Sequence, residues 1–307
     1  MTKIFIDGSA GTTGLRIADR LALRKDISLI KLSDELRKDP AARADAINSA
    51  DVVFLCLPDP AAIEAVSLTT NPLTRIIDTS TAHRTDPAWV YGMPELKGQL
   101  EKIQSGTRIA NPGCHASGFV ALVAPLVQEG VLPANTPLSA FSLTGYSGGG
   151  KKMIAEYEDP NRSPLLKAPR QYALTQQHKH LKEMVKLCGL EAAPVFCPIV
   201  ADFYSGMEVT VPVFAHQLKV GFGELKELYK DYYKGGLIHY MDEADPDGLL
   251  SANAWADRDD MSISVMGNED RIILTARFDN LGKGASGAAI QNMNILLGLD
   301  QSTGLNV

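Results

Sequence analysis

The chain has 307 residues, 45% hydrophobic and 21% charged, with a formal net charge of −6. That length carries one large or two ordinary domains with a real core, and the composition is globular rather than fibrous or disordered. The acidic balance argues against nucleic acid or an anionic membrane as main partner, while a locally basic site for a small anion stays open. The four cysteines, Cys56, Cys114, Cys188 and Cys197, form no CxxC pair. They suggest neither a zinc ribbon nor a disulfide scaffold. There is no basic-then-apolar leader and no apolar run approaching about 18 residues, so a reducing cytoplasm is expected.

Ile4-Phe5-Ile6-Asp7 reads as a strand, followed by Gly8-Ser9-Ala10-Gly11-Thr12-Thr13-Gly14 and a helix with Leu15, Ala18, Leu21 and Ala22 on one face. Strand, glycine-rich turn and helix in that order make a phosphate-binding βα unit, here with GxxGxxG spacing. Gly8, Ser9, Gly11, Thr12, Thr13 and Gly14 are therefore candidate cofactor residues. A second strand, Ser28 to Leu32, ends at Ser33, where an NAD-specific site typically places an acidic residue. Ser33, with Arg37 and Lys38 in reach, suits the 2′-phosphate of NADP. Asp51 to Leu57 reads as a central buried strand and Ala61 to Leu68 as a helix. Arg75 to Asp78 is the next strand, and the polar run after it falls at a ligand-facing strand end. Ser80 is a cofactor candidate there, and Arg84 is either a partner for a substrate carboxylate or phosphate or a surface ion pair.

Arg108-Ile109-Ala110 leads into Asn111-Pro112-Gly113-Cys114, where Pro and Gly force a tight turn into a helix, roughly His115 to Glu129, with Pro125 as a kink. A thiol at a helix N-terminus faces backbone N–H groups and the positive end of the dipole, and both favour thiolate. From this stretch alone Cys114 reads equally as a nucleophile or as a small buried hydrophobe. Leu138 to Thr144 reads as a strand, and Gly145-Tyr146-Ser147-Gly148-Gly149-Gly150-Lys151 as an anion-binding nest or a flexible turn. His178-Lys179-His180 precedes an amphipathic helix ending at Gly189. One of the two histidines is a candidate acid or base, the alternative being a surface pair with no role. With the pair at i and i+2 on different helix faces and no third ligand at convincing spacing, no metal is expected. Pro194 to Val200 and Met207 to Phe214 alternate as strands, Phe222 to Tyr233 is helical, and Met261 to Gly267 with Arg271 to Phe278 form a hairpin. Small residues crowd the start of a last helix after Lys283, so something packs very close to it.

The expected fold class is α/β: a Rossmann-type NADP-binding domain (1–115 and 283–307) plus an α+β, mostly antiparallel-sheet catalytic and oligomerisation domain (116–282), with the C-terminal helix returning to the first domain.

As an ordered set, the motifs resemble the short branch of the N-acetyl-γ-glutamyl-phosphate reductase family. The likeness rests on Gly8-Gly11-Gly14, Tyr91-Gly92-Met93-Pro94-Glu95-Leu96, Asn111-Pro112-Gly113-Cys114, Gly145 to Lys151, His178-Lys179-His180, and Lys283 to Gly287 leading to Gln291-Asn292-Met293-Asn294. The resemblance implies NADPH-dependent reduction of N-acetylglutamyl 5-phosphate to the semialdehyde plus phosphate, in arginine biosynthesis, through a thioester on Cys114. It implies His180 or His178 as acid–base group, Ser147, Gly148 and Arg84 as substrate residues, and Asn292 among the cofactor residues. Lys182 stands where the family's HxHxPE-like motif has proline, so both histidines remain candidates. Aspartate-semialdehyde dehydrogenase is the alternative enzyme, and a non-catalytic NADP-binding regulatory protein the alternative of another class. A homo-oligomer is expected, with no nucleic acid or membrane as partner.

Overall fold

The computed structural model describes residues 1–243 and 245–307. The chain divides into two compact units, Met1–Pro112 with Ala285–Leu305, and Gly113–Gly284 with Asn306–Val307. The first unit runs β1 (Thr2–Asp7), α1 (Thr12–Ala22), β2 (Ile27–Ile30), α2 (Pro40–Ser49), β3 (Val52–Leu55), α3 (Asp59–Ser67), β4 (Arg75–Asp78), β5 (Val90–Tyr91), α4 (Gln99–Ser105) and β6 (Arg108–Ala110). The second holds α5 (Cys114–Gln128), β7 (Ser139–Gly145), α6 (Gly150–Glu158), β8 (Arg170–Gln171), α7 (Leu181–Cys188), β9 (Val195–Ala201), β10 (Met207–Phe214), α8 (Phe222–Tyr232), β11 (Ile238–Tyr240), β12 (Met261–Gly267) and β13 (Arg271–Phe278). α9 (Gly287–Leu296) belongs again to the first unit.

In the first unit a parallel sheet has the order β2-β1-β3-β4-β6-β5. The order reverses between β1 and β3, and the strand ends at such a switch point form the usual ligand crevice. Alternate residues serve opposite layers, as the two-residue period of a strand requires. Ile4, Ile6, Phe54 and Ile77 pack with Ile17, Leu21, Ile290 and Met293. Phe5, Val53, Leu55 and Ile76 pack with Ile47, Ala62 and Ala65. The near-continuous apolar reading of β3 therefore reflects burial on both faces. α9 is fully buried yet carries three amides, and all three are hydrogen-bonded. Gln291 donates to Glu95 Oε1 (2.8 Å), Asn292 to the Gly92 carbonyl (2.9 Å), and Asn294 accepts from Arg24 (2.6 Å). These bonds offset most of the cost of burying the amides; the Asn292 Oδ1 alone of their atoms is buried without a partner among the described residues.

The second unit's sheet, β11-β12-β13-β10-β7-β9-β8, is mostly antiparallel, with parallel pairs β11–β12 and β7–β9. α5 packs on it so closely that a Cβ at Gly118 would lie 2.5 Å from Val209 Cγ2. The small residues before α9 are explained similarly: a Cβ at Gly284 would sit 3.0 Å from Cys114 Cβ.

Several elements differ from expectation. β2 ends at Ile30 rather than Leu32, and α5 begins at Cys114 itself. Gly113, Cys114 and His115 fall in the second unit, as do Lys283 and Gly284. The histidines do not lie on a helix: α7 starts at Leu181, His180 is its N-cap, and the two rings meet at 4.8 Å. The glycine-rich stretch is neither a loose turn nor an open nest; it is a 3₁₀ turn, Tyr146–Gly149, running into α6. α2 lacks an apolar stripe, although Asp39 before Pro40 signals it: Asp39 Oδ1 caps Ala42 N–H at 2.8 Å.

Candidate active site and nucleotide site

The glycine loop is built for backbone approach. Gly8 has φ +88°, and a Cβ there would lie 2.3 Å from the Cys56 carbonyl oxygen. A Cβ at Gly14 would lie 2.5 Å from the Gly8 carbonyl oxygen. Gly11 caps α1, its N–H bonded to the Gly8 carbonyl at 3.0 Å. Thr12, Thr13 and Gly14 thus form the first turn of α1, where N–H groups suit a phosphate.

Beside the loop is a cavity of about 660 Å³ lined by Gly8, Ser9, Ala10, Asp19, Leu32 and Leu57, with Lys31, Arg37 and Lys38 as its cations. Ser33 is not a lining residue. Its carbonyl accepts the Leu36 and Arg37 N–H groups (3.1 and 3.0 Å), which makes the turn that carries Arg37 and Lys38. Asp7, also on the cavity wall, is buried against Arg43, and the loss of hydration outweighs that ion pair and raises its pKa.

The strand-end residues after β4 are tied down. Ser80 bonds both carboxylate oxygens of the buried Asp78, through N–H (2.9 Å) and Oγ (2.7 Å). His83 Nδ1 meets the same carboxylate at 2.6 Å and stacks on Trp89. Arg84 is buried rather than a surface ion-pair residue, and it donates to the carbonyls of Asn111 and Thr79, both at 2.9 Å. Asn292 is fully buried and bonds Asn111 Oδ1 at 3.3 Å as well as Gly92. Arg84 and Asn292 therefore both brace Asn111 at the approach to Cys114.

In the second unit, Glu183 Oε1 accepts the Gly113 N–H at 2.8 Å, pinning the turn at the N-terminus of α5. Cys114 is half-buried in the first position of that helix. His115, the next residue, is buried between hydroxyls: Nδ1 lies 2.6 Å from Ser142 Oγ and Nε2 2.6 Å from Tyr172 OH. Its ring packs against His178 at 5.5 Å, His180 at 5.6 Å and Phe196 at 5.4 Å. Burial, with His178 and Lys179 nearby, pushes the His115 pKa down to about 3. Burial and Lys179 push His178 to about 4. Both imidazoles are thus neutral near pH 7. The His180 N–H donates to His178 Nδ1 at 3.2 Å, so neutral His178 carries its proton on Nε2. Burial raises the Tyr172 pKa, and the nearby Cys114 adds to the rise. Ser147 is buried, its hydroxyl bonded by Asn280 at 3.0 Å, and Gly148 lies beside the same amide.

Residue spacing alone missed His115, Glu183, Ser142 and Tyr172. Glu183 had a signal, as the last position of the HxHxPE-like motif; the others are joined by folding alone. No cluster of three or more His, Cys, Asp or Glu is placed to hold a metal among the described residues.

Two family models match: the NAD binding domain of semialdehyde dehydrogenase over residues 8–104, and the semialdehyde dehydrogenase dimerisation domain over residues 114–280. The chain is 43% identical to N-acetyl-gamma-glutamyl-phosphate reductase 2 of Pseudomonas putida, over 98% of both chains. It is 45% identical to N-acetyl-gamma-glutamyl-phosphate reductase of Brucella ovis, over 96% of this chain and 99% of the relative. Among solved structures, aspartate semialdehyde dehydrogenase from Francisella tularensis superposes with a TM-score of 0.72 at 15% identity, over 97% of this chain and 100% of that one. The Vibrio cholerae aspartate semialdehyde dehydrogenase II gives 0.71 at 13%, over 97% and 98%. At such identities these two structures speak for the fold alone.

Proposed function

The chain belongs to the N-acetyl-gamma-glutamyl-phosphate reductase family, and from that premise we propose that Cys114 is the nucleophile by which it reduces N-acetyl-L-glutamyl 5-phosphate to N-acetyl-L-glutamate 5-semialdehyde and phosphate. The observation that carries this is Cys114 as first residue of α5, behind a turn pinned by Glu183, with the next residue, His115, packed against His178 and His180.

The thiolate attacks the acyl carbon, and the oxyanion formed meets N–H groups in the first turn of α5. The C–O bond to the phosphate breaks, phosphate leaves with that bonding pair, and a thioester remains on Cys114. His180 takes the thiol proton. Neutral His178, with its proton on Nε2, serves as a hydrogen-bond donor, and His115 stays neutral between its two hydroxyls. Ser147 and Gly148 contribute to substrate binding.

An NAD(P)-type cofactor fits the residues present: backbone room at Gly8 and Gly14, helix N–H groups at Thr12 and Thr13, and a cavity of nucleotide size. When bound, it supplies the hydride that reduces the thioester. We assign NADP, with Arg37 and Lys38 on the 2′-phosphate, rather than Ser33.

The outward face of the second sheet supports a homo-oligomer. By strand alternation Phe141, Val195, Phe214 and Ile273 share one face, opposite the face carrying Val209, and each is exposed. Light scattering should give a multiple of the chain mass, reduced by Phe141→Asp with Ile273→Asp; a wild-type monomer would contradict this.

The test of the substrate runs the reaction backwards: NADPH formation from NADP, phosphate and either N-acetylglutamate semialdehyde or aspartate semialdehyde. Phosphate-dependent turnover should strongly favour the N-acetylated substrate. A preference for aspartate semialdehyde would replace that assignment, and turnover with neither would favour a non-catalytic nucleotide-binding role.

A further inference from the structure

The edge of the second sheet holds a device outside the catalytic groups. β8 pairs with β9 through Arg170 with Val200 and Gln171 with Ile199, and the ladder continues as the Tyr172 N–H donates to the Pro198 carbonyl at 3.0 Å. The main chain then leaves the ladder. Its next rung is made by a side chain: Gln176 Oε1 accepts the Phe196 N–H and Gln176 Nε2 donates to the Phe196 carbonyl, both at 2.8 Å. The carboxamide thus copies the donor–acceptor pair of a strand residue.

The displaced loop is held in an unfavourable shape. Ala173 has φ 53° and Gln176 φ 57°, left-handed values that residues with a Cβ adopt rarely. The Gln176 N–H closes the turn on the Ala173 carbonyl at 2.9 Å. At one end of the loop is Tyr172, bonded to His115; at the other is His178, whose ring meets His115 and Phe196. The residue that Gln176 grips is the same Phe196 whose ring lies against both histidines.

We propose that Gln176 is a positioning residue for the reductase reaction: its carboxamide replaces a strand rung on Phe196 and so fixes Tyr172 and His178 around His115. This rests on the reading that the Cys114–histidine cluster is the active site. Without the carboxamide the turn bond from Gln176 to Ala173 remains, but the loop loses its tie to Phe196 and relaxes. A misplacement of about 1 Å in such a cluster costs up to roughly 100-fold in rate.

The test compares full-length wild type, Gln176→Ala and Gln176→Glu; the Glu variant keeps an acceptor for the Phe196 N–H but has no donor for its carbonyl. We expect kcat to fall about 10- to 100-fold in Gln176→Ala and less in Gln176→Glu, with the KM for NADPH unchanged. The second readout is the His178 titration by NMR of histidine-labelled protein, which needs no activity. The groups facing that ring are His115, His180, Tyr172 and the neighbouring Lys179. In Gln176→Ala its midpoint should rise from about 4 toward the ordinary value as the ring loses its burial. An unmoved midpoint would overturn the proposal. So would a moved midpoint with unchanged kcat, because the loop would then be held without serving the reaction. Full turnover in Cys114→Ala is a separate result, and it would strike the active-site reading instead.

Discussion

The two units build their sites from different materials. In the first, the candidate nucleotide site is mostly backbone: glycines that leave room, a helix N-terminus that offers N–H groups, and a turn after β2 that brings cations. In the second, the candidate site is side chains from distant segments, with Ser142, Tyr172, His178 and Phe196 converging on the His115 ring. A backbone site depends on what is absent, namely a Cβ. A side-chain site depends on which neutral and charged groups are buried together. The first is broken by adding atoms and the second by removing them.

The largest effect should come from removal. Cys114→Ala should reduce turnover about 10⁴-fold or more while nucleotide binding persists, measured by steady-state rates and nucleotide titration. A variant that still turns over well would leave Cys114 as a packing residue under Gly284. Single His180→Ala or His178→Ala substitutions should cost about 10²-fold at one position at least, and His180 is expected to show the larger loss in kcat.

Addition should do the damage in the first unit. Gly8→Ala introduces both a left-handed strain and an overlap with the Cys56 carbonyl. A destabilisation of about 3 kcal/mol, with loss of nucleotide affinity, is expected in denaturant melts and binding titrations. Near-normal stability would show that the loop can move away from Cys56 at little cost.

Acid should act on the second unit through its depressed histidines. His115 titrates at about 3 and His178 at about 4 in the folded chain, against about 6.5 when unfolded. Below about pH 6.5 the unfolded chain binds more protons, so the stability from these neutral rings is complete above that pH. It falls as pH drops, by on the order of 1.4 kcal/mol per pH unit down to about pH 3 for the fully buried His115, and by less, down to about pH 4, for the half-buried His178. His115→Asn should flatten that slope in urea melts between about pH 4 and 6; an unchanged slope would place the acid sensitivity elsewhere. The smallest effect belongs to cofactor choice. Arg37→Ala with Lys38→Ala should narrow the NADPH preference over NADH about 10-fold, read as the ratio of kcat/KM values.

The same contrast explains what the sequence disclosed. Gly8, Gly11 and Gly14 lie within seven residues between a strand and a helix, so their local chemistry was legible. So were the hairpin of β12 and β13 and the thiol at the start of α5, because periodicity and turn residues are local signals. Tyr172 and Ser142 carry no such mark, since their role exists only once β7, β8 and β9 are side by side. Ser33 is a different case: β2 ends at Ile30, so Ser33 follows the strand instead of ending it, and its carbonyl holds the turn that carries Arg37 and Lys38. Arg84 is buried, so the surface ion-pair reading fails, and its guanidinium donates to the Asn111 and Thr79 carbonyls, partners that no local pattern announces.

An acyl group carried on Cys114 is detected most directly by mass spectrometry. Enzyme mixed with N-acetylglutamate semialdehyde and NADP, without phosphate, should accumulate one N-acetylglutamyl thioester, mapped to the peptide containing Cys114 and discharged by added phosphate. Acylation at Cys56, Cys188 or Cys197, or phosphate-dependent turnover with no adduct on Cys114, would contradict the account.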